Sequence, residues 1–541
     1  MSVVSSRVSS VSSILKASGV RAQFVKQPIK LCKLPKDVKD ILCNFTKGNG
    51  TKEYEKLIYS LKTGAIKDSD LAEFLMETTQ CISLLDIRYK LFVQALLQID
   101  WLNRAPDVIL NYKLFLKDLV CMQTVYTNIV INRLVELFKP TIFEDSITGH
   151  KIGQFKDEDI EKLNHIHDIL HIILKVMPMS NEVLLESLRF QFPLYVVHGA
   201  YIHEIYIYAL LKVLNYAPQL RSAILVLIID RLTKLDVNIP REEASSDEKD
   251  DVADDCVSYN DDDNLSKINN DTDRRKTVHP IAHTLDSCME LFLKYMDEFC
   301  FVNKVLQIEN LKILYDDIVY AFETIILRTY ASRYVQYIMF YICSFSPMIT
   351  KKFIEWLWFK ITNPNEPVLQ QTAVCYVSSM HAIASFISPG LVQIMMSRLA
   401  QWIHRYITLQ ENSESIDAKS HDVFYSVCQA FFHLFVARHE HFVVSKDGLS
   451  FLHDLDISRI VTCKLNPLKM CDTKIVCAFA DITFTYQLAY CHTVIENNKR
   501  NQLPTFGIRT RLAISVPHFF PFESYTLEYS GQKITPLFRN N

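Results

Sequence analysis

Glycine is the residue this chain has least of for its size. Eleven occur in 541 residues, about 2% against a usual ~7%. Glycine builds the phosphate cradles and tight turns of α/β nucleotide enzymes, so its scarcity argues against those folds. Neither GxxxxGK[ST] nor GxGxxG occurs, and Gly48-Asn49-Gly50 lacks the third glycine. No CxxC pair is found among fourteen cysteines, which disfavours zinc ribbons and fingers. The cysteines stand singly in apolar segments, as at Cys288, Cys343, Cys375 and Cys428. That pattern predicts buried free thiols in a reducing compartment rather than a secreted disulfide framework. The Asn-x-Thr matches at Asn44, Asn49 and Asn270 are then chance. Uncharged apolar runs such as Ala223–Ile229 and Val335–Phe345 fall short of the ~20 residues of a membrane helix, so an intracellular, soluble protein without a membrane partner is expected. No GxSxG elbow is present either.

Acids are missing from one stretch and crowded into another. The first 36 residues carry seven Lys or Arg, eight Ser and no acid. Two readings stand open, a basic disordered tail and a mitochondrial transit peptide. Between Arg241 and Asp263 lie eleven acids and two bases, net −9. Such a segment cannot offset its ordering entropy by burial, which predicts a disordered acidic loop over 241–276. Without it the remaining chain is −3 + 9 = +6, mildly basic. Ser245, with Glu248 at +3, is a candidate phosphorylation site in that loop.

What is present reads as helix after helix from Asp37. Leu311, Leu314, Ile318, Ala321, Phe322 and Ile325 form one apolar stripe, and Phe424, Val427, Cys428, Phe431, Leu434 and Phe435 another. Prolines at 106, 140, 178, 193, 218, 240, 364, 367 and 389 punctuate these stretches. With no strand signals, the expected fold is all-α, a HEAT-repeat-like α-solenoid with one disordered acidic loop. The expected segments are a tail at 1–36, helical repeats at 37–240, the loop at 241–276 and further repeats at 277–541. A solenoid offers long faces to partners, so binding rather than catalysis is expected, with no cofactor and no metal.

The sharpest enzymatic alternative is His167-Asp168-Ile169-Leu170-His171, two histidines at i and i+4 with an adjacent acid. Aspartate is a methylene shorter than the glutamate of HExxH, His165 points to another face, and helix-surface histidines are the plainer reading. His439-Glu440-His441 reads as a helix end. Trp356, Trp358 and Phe359 read as core rather than a base-stacking platform.

The run Phe353–Ser388, an aromatic helix, the turn Asn363-Pro364-Asn365-Glu366-Pro367 and a second apolar helix, resembles the central block of the RNA polymerase I-specific initiation factor family. Further blocks resemble it in the same order: Asp100–Arg104, Lys234–Asn238 before the acidic insert, Val278–Pro280, Ala331–Phe345, Phe424–Ala430, Leu465–Cys471, Phe519–Glu523 and Ile534–Leu537. The resemblance implies a HEAT-repeat superhelix that is not an enzyme. It also implies binding to RNA polymerase I, bridging to a promoter-bound core or selectivity factor at ribosomal DNA, and a nuclear, nucleolar location. Candidate partner-binding residues are Gln370, Gln371, Asn466, Pro467 and Lys469, and Ser180 takes the place of a family phospho-acceptor. Departures are Gln370-Gln371 where Arg-Gln is usual, and His381–Ser385 where arginine and lysine are usual. These weaken any DNA contact by that helix. The longer C-terminal tail of larger relatives, with its phosphorylation sites, is expected to be absent. A homodimer of the free protein is a further expectation, and the rival reading is a generic HEAT-type scaffold or transport adaptor, possibly organellar.

Overall fold

The structure, a computed structural model, describes residues 33–63, 66–140, 153–240, 279–330, 332–410, 421–500 and 519–539. The predicted tail up to residue 32 and the whole of the predicted acidic loop 241–276, with Ser245, lie outside the described residues. The chain forms two compact units, Met1–Val130 and Ile131–Asn541, and both are built of helices.

In the first unit, helices Val38–Thr46 and Thr51–Thr63 are joined at Gly48-Asn49-Gly50. Both glycines have positive φ, +81° and +87°, a conformation side-chain-bearing residues avoid. This pair of glycines therefore serves a helix-to-helix turn. Helix Asp68–Gln80 packs on helix Pro106–Met122. Arg104 pairs with Asp68 at 2.9 Å while Asp68 accepts from the Ala105 amide at 3.0 Å, tying the start of one helix to the start of the other. Stacked rings of Trp101 and Tyr112, 5.0 Å apart, fill the core beneath.

The second unit is an array in which most helices pack on neighbours close in sequence, the nearest-neighbour logic of helical repeats. Helices Ala200–Val213 and Arg221–Val237 pack directly on Pro280–Cys300, so the acidic insert interrupts an array that is continuous on both sides of it. Downstream, Pro347–Thr362 packs on Pro367–Ile383, which packs on Asp422–Arg438, which packs in turn on Pro389–Gln410 and Thr473–Thr485. Both apolar stripes are buried, apart from Ile325, which ends its helix half-buried. Several prolines begin helices rather than end them: Pro106, Pro367 and Pro389 stand in first turns, where no amide hydrogen is needed and φ is preset.

Two features were not foreseen. A two-stranded antiparallel hairpin pairs Phe301 with Leu306 and Val302 with Val305. Its turn, Asn303-Lys304, has φ of 51° and 64°, the twist a two-residue hairpin demands. The second is the chain's end. Residues 519–539 return across the array to helices more than 140 positions earlier.

Candidate partner interface

The helical hairpin singled out above is well defined. Ser346 accepts from the Met348 amide and Pro347 opens the first helix. Ile349, Phe353, Leu357 and Ile361 recur four residues apart and are buried. Trp356 is half-buried between Phe353 and Phe322, with the Lys360 ammonium 5.3 Å from its ring. Trp358 is covered from outside by Arg398, itself paired with Glu355 at 2.9 Å. The two tryptophans thus belong to packing, as expected, whereas Phe359 is 64% exposed. Core assignment fails for Phe359 because its neighbours at three- and four-residue spacing, Glu355 and Trp356 on one side and Thr362 and Asn363 on the other, are exposed or half-buried and lie off the buried stripe.

In the turn, the Asn365 amide donates to Asn363 Oδ1 at 3.2 Å. Gln370 Nε2 then donates to the Ile361 carbonyl at 2.7 Å, satisfying a carbonyl at the end of the first helix. Gln370 is buried; Gln371 is half-buried and retains surface. The second helix is buried from Ala373 to Ala382. Ser378 donates to the Ala430 carbonyl and Ser379 accepts from the Phe522 amide. His381 is fully buried, its Nδ1 2.7 Å from the Val377 carbonyl, and burial pushes its pKa down to about 4. Within 381–385, the stretch whose lack of arginine and lysine weakens any DNA contact, His381 and Ala384 lie inside the protein.

The returning C-terminal segment closes this region. Phe522 packs among Tyr337, Phe340 and Tyr376, and Phe538 against Tyr337 and Phe340. Polar groups of the array receive it. Asp286 accepts from the Tyr529 amide at 2.9 Å, the Ser530 amide at 2.8 Å and the Ser530 hydroxyl. Gln336 Nε2 donates to the Pro521 carbonyl at 2.7 Å. Lys533 bridges Asp297 at 3.0 Å and Glu290 at 3.4 Å. Burial still holds the Glu290 carboxyl above its usual range, against the pull of Lys533. Nearby, Asp236 accepts three consecutive amides, Arg333, Tyr334 and Val335, at 2.8–3.0 Å. Burial outweighs those three bonds and raises its pKa. Arg438 is buried and donates to the carbonyls of His381 and Ala384, and burial lowers it to about 10. The anchoring role of these polar groups was not read from sequence, although Asp236 and Gln336 lie within blocks quoted above. The signal for several of them is a charge inside an apolar run, as at Asp286 and Arg438.

The remaining candidates separate by burial. Asn466 has φ of 47° and exchanges two amide hydrogen bonds with Asn498, at 2.7 and 3.2 Å. Pro467 is buried and starts a short helix, and Lys469 is exposed. Of the five candidate contact residues, Gln371 and Lys469 thus offer surface, and Asn466 part of it. Ser180 opens helix Ser180–Phe190, is 2% exposed and donates to the Met177 carbonyl at 2.6 Å.

His167 corrects the helix-surface reading. It is buried, bonded through Nδ1 to the Tyr216 hydroxyl at 2.9 Å, and burial drives its pKa down to about 3. His171 is exposed and stacks on the same tyrosine. Among the described residues no group of three or more His, Cys, Asp or Glu is arranged to hold a metal ion. His439 does sit at a helix end, with Nδ1 2.9 Å from the Val436 carbonyl. Cys288, Cys343, Cys375 and Cys428 are buried free thiols, as the sequence suggested. Among the described residues no single helix is long and apolar enough to cross a membrane.

Comparison with known proteins places these features in context. Residues 31–540 match the family described as RNA polymerase I specific transcription initiation factor RRN3. The chain is 32% identical over 542 residues to RNA polymerase I-specific transcription initiation factor RRN3 of Mus musculus, covering 95% of this chain and 82% of that protein. It is 25% identical over 506 residues to the Schizosaccharomyces pombe factor of the same description, covering 86% and 79%. The fold is similar to the crystal structure of RNA Polymerase I Transcription Initiation Factor Rrn3, with a TM-score of 0.72 at 22% identity, covering 93% of this chain and 97% of that one.

Proposed function

The chain belongs to the RNA polymerase I-specific transcription initiation factor family, and from that premise we propose that it binds RNA polymerase I, makes it competent to initiate and bridges it to a factor bound at the ribosomal DNA promoter. The observation that carries this reading is the extent of the match: one ordered correspondence runs through 31–540, across both compact units. The helical-repeat architecture supports an adaptor, because each repeat spends one face on its neighbours and leaves others for partners. The rival scaffold reading has no comparable support.

The finer parts of the proposal are these. The C-terminal half meets the promoter-bound factor, with Gln371 and Lys469 as contact candidates. Ser180 and Ser245 tune the association through phosphorylation. The protein acts in the nucleolus, is not an enzyme, and the free form is a homodimer. The relatives are named as initiation factors, which supports a binding role.

Co-purification of the tagged full chain with RNA polymerase I, against polymerases II and III, tests the central claim. Selective recovery of polymerase I is expected. Recovery of none, from folded and monodisperse protein, would overturn it. Sedimentation of the free protein tests the homodimer, and imaging of a tagged copy tests the location.

A further inference from the structure

A cleft of about 490 Å³ lies between the segment Tyr195–Tyr201 and the start of helix Pro280–Cys300. Its rim is unusually apolar for a surface. Leu194, Tyr195, Val196 and Val197 follow one another in a loop outside any helix, and Val196 and Val197 are 79% and 67% exposed. Four consecutive large apolar side chains facing water are costly unless something covers them, at about 25 cal/mol for each Å² left wet. The wall of the cleft has the opposite character. His198 and His283 line it, together with the first residues of two helices, Ala200–Val213 and Pro280–Cys300. Helix starts present the positive ends of their peptide dipoles, so two of them favour negative charge, and imidazole N–H groups can donate to carboxylates. The occupant this cleft suits is therefore a segment that is both acidic and sparsely apolar.

Such a segment is tethered beside it. The described chain breaks after Pro240 and resumes at His279-Pro280, so residues 241–278 end at the cleft wall itself. Within them, 251–259 read Asp-Val-Ala-Asp-Asp-Cys-Val-Ser-Tyr. Val252, Val257 and Tyr259 are set among acids there, in a stretch otherwise poor in large apolar residues. The twenty residues from Tyr259 to His279 span up to roughly 65 Å when extended, so reach is no obstacle. We propose that residues 251–259 of the acidic insert dock in cis on this cleft. Val252, Val257 and Tyr259 cover Leu194–Val197, and the flanking aspartates face His198, His283 and the two helix starts. The insert is then a built-in occupant of an apolar patch, which any other partner for that patch must displace. This inference does not depend on the proposed polymerase contact.

Cys256 lies inside the proposed docking segment and gives a direct test in the full chain. V196C places a thiol on the apolar rim, and V368C places one at a remote site that is equally exposed, at 72%. Under mild oxidation, the yield of intramolecular disulfide is followed by non-reducing electrophoresis and peptide mapping. Any tethered cysteine reaches an effective concentration of order mM, so the comparison of rates carries the result. V196C is expected to close onto Cys256 at least about tenfold faster than V368C. Adding V252D, V257D and Y259D together should reduce it to the V368C rate, and C256S should abolish it. Equal rates for the two sites would overturn the proposal, as would a fast product that survives C256S or the triple aspartate change. A disulfide-linked dimer that dominates and grows with protein concentration would seat a second copy on the patch and overturn it too. Both cysteine variants lie on exposed positions, and unchanged circular dichroism shows that they fold.

Discussion

Removal of the Asp286 carboxylate should free the C-terminal segment. Asp286 is 4% exposed and accepts two backbone amides and one hydroxyl from Tyr529 and Ser530. In Asp286→Ala the two amides lose their acceptor, that of Ser530 at a buried site, and the Ser530 hydroxyl is left with the Tyr525 hydroxyl 2.8 Å away. A hydrogen bond to a charged group contributes about 1.5–3 kcal/mol, and each stranded donor costs about 1–3 kcal/mol. Relaxation and water entry recover part of this, so the expected net loss is about 3–5 kcal/mol. Asp286→Asn keeps one acceptor oxygen but turns an amide NH2 toward the remaining donors, and should lose about half as much. The loss falls first on residues 519–539, whose other polar ties to the array include Gln336, Ser379, Asp297 and Glu290. A chain of this size need not unfold in one step, so the assay is amide exchange resolved by segment. Exchange of 519–539 should accelerate by two orders of magnitude or more in the alanine variant, at about 1.4 kcal/mol per factor of ten. Protection of helix Asp68–Gln80, in the other compact unit, should be unchanged. Wild-type protection of 519–539 in Asp286→Ala would refute the reasoning, since the carboxylate would then contribute nothing that water does not replace.

Three further outcomes follow from the geometry. His381 and His167 are neutral in the fold, with pKa values pushed down to about 4 and about 3 by burial. Below pH ~6.5 the unfolded chain binds protons there that the folded chain does not, so stability present at neutral pH is lost as pH falls through these folded values. At pH 5 each imidazole should cost about 2 kcal/mol, and His381→Leu should flatten the pH dependence of the urea midpoint between pH 6.5 and 4.5; an unchanged slope would remove His381 from the account. A Cβ at Gly448 would lie 2.2 Å from the Phe442 carbonyl oxygen, so Gly448→Ala should lose about 2 kcal/mol or more in thermal melting, and a neutral substitution would contradict that packing. Ser180 donates to the Met177 carbonyl from a buried site, so a kinase must act on a locally opened form. Ser180→Asp should open the start of helix Ser180–Phe190 by about 1–2 kcal/mol and lower polymerase I recovery, and wild-type binding by that variant would discount Ser180 as a regulatory site.

Composition and periodicity were enough to establish a helical protein, because scarce glycine and stripes at three- and four-residue spacing report properties that one segment holds by itself. The buried stripes of Ile308–Thr324 and Asp422–Arg438 were legible for that reason, as was the turn at Pro364–Pro367. Family membership was legible too, since ordered blocks survive where single motifs mean little. Three kinds of feature depended on tertiary structure. Whether His167 is wet or buried depends on Tyr216, forty-nine positions away. Whether Gln370 meets a partner or caps a helix depends on where the Ile361 carbonyl ends up. The closure by residues 519–539 joins Asp286 to Ser530 across 244 positions. A local pattern cannot encode such a contact, because Asp286 reads as an ordinary charge until the chain end brings three donors to it. Local sequence determined which segments are helices and which of their faces are apolar. Only the assembled array decided which polar groups are paired inside it and which remain at the surface for a partner, because pairing is a property of two segments brought together and not of either one alone.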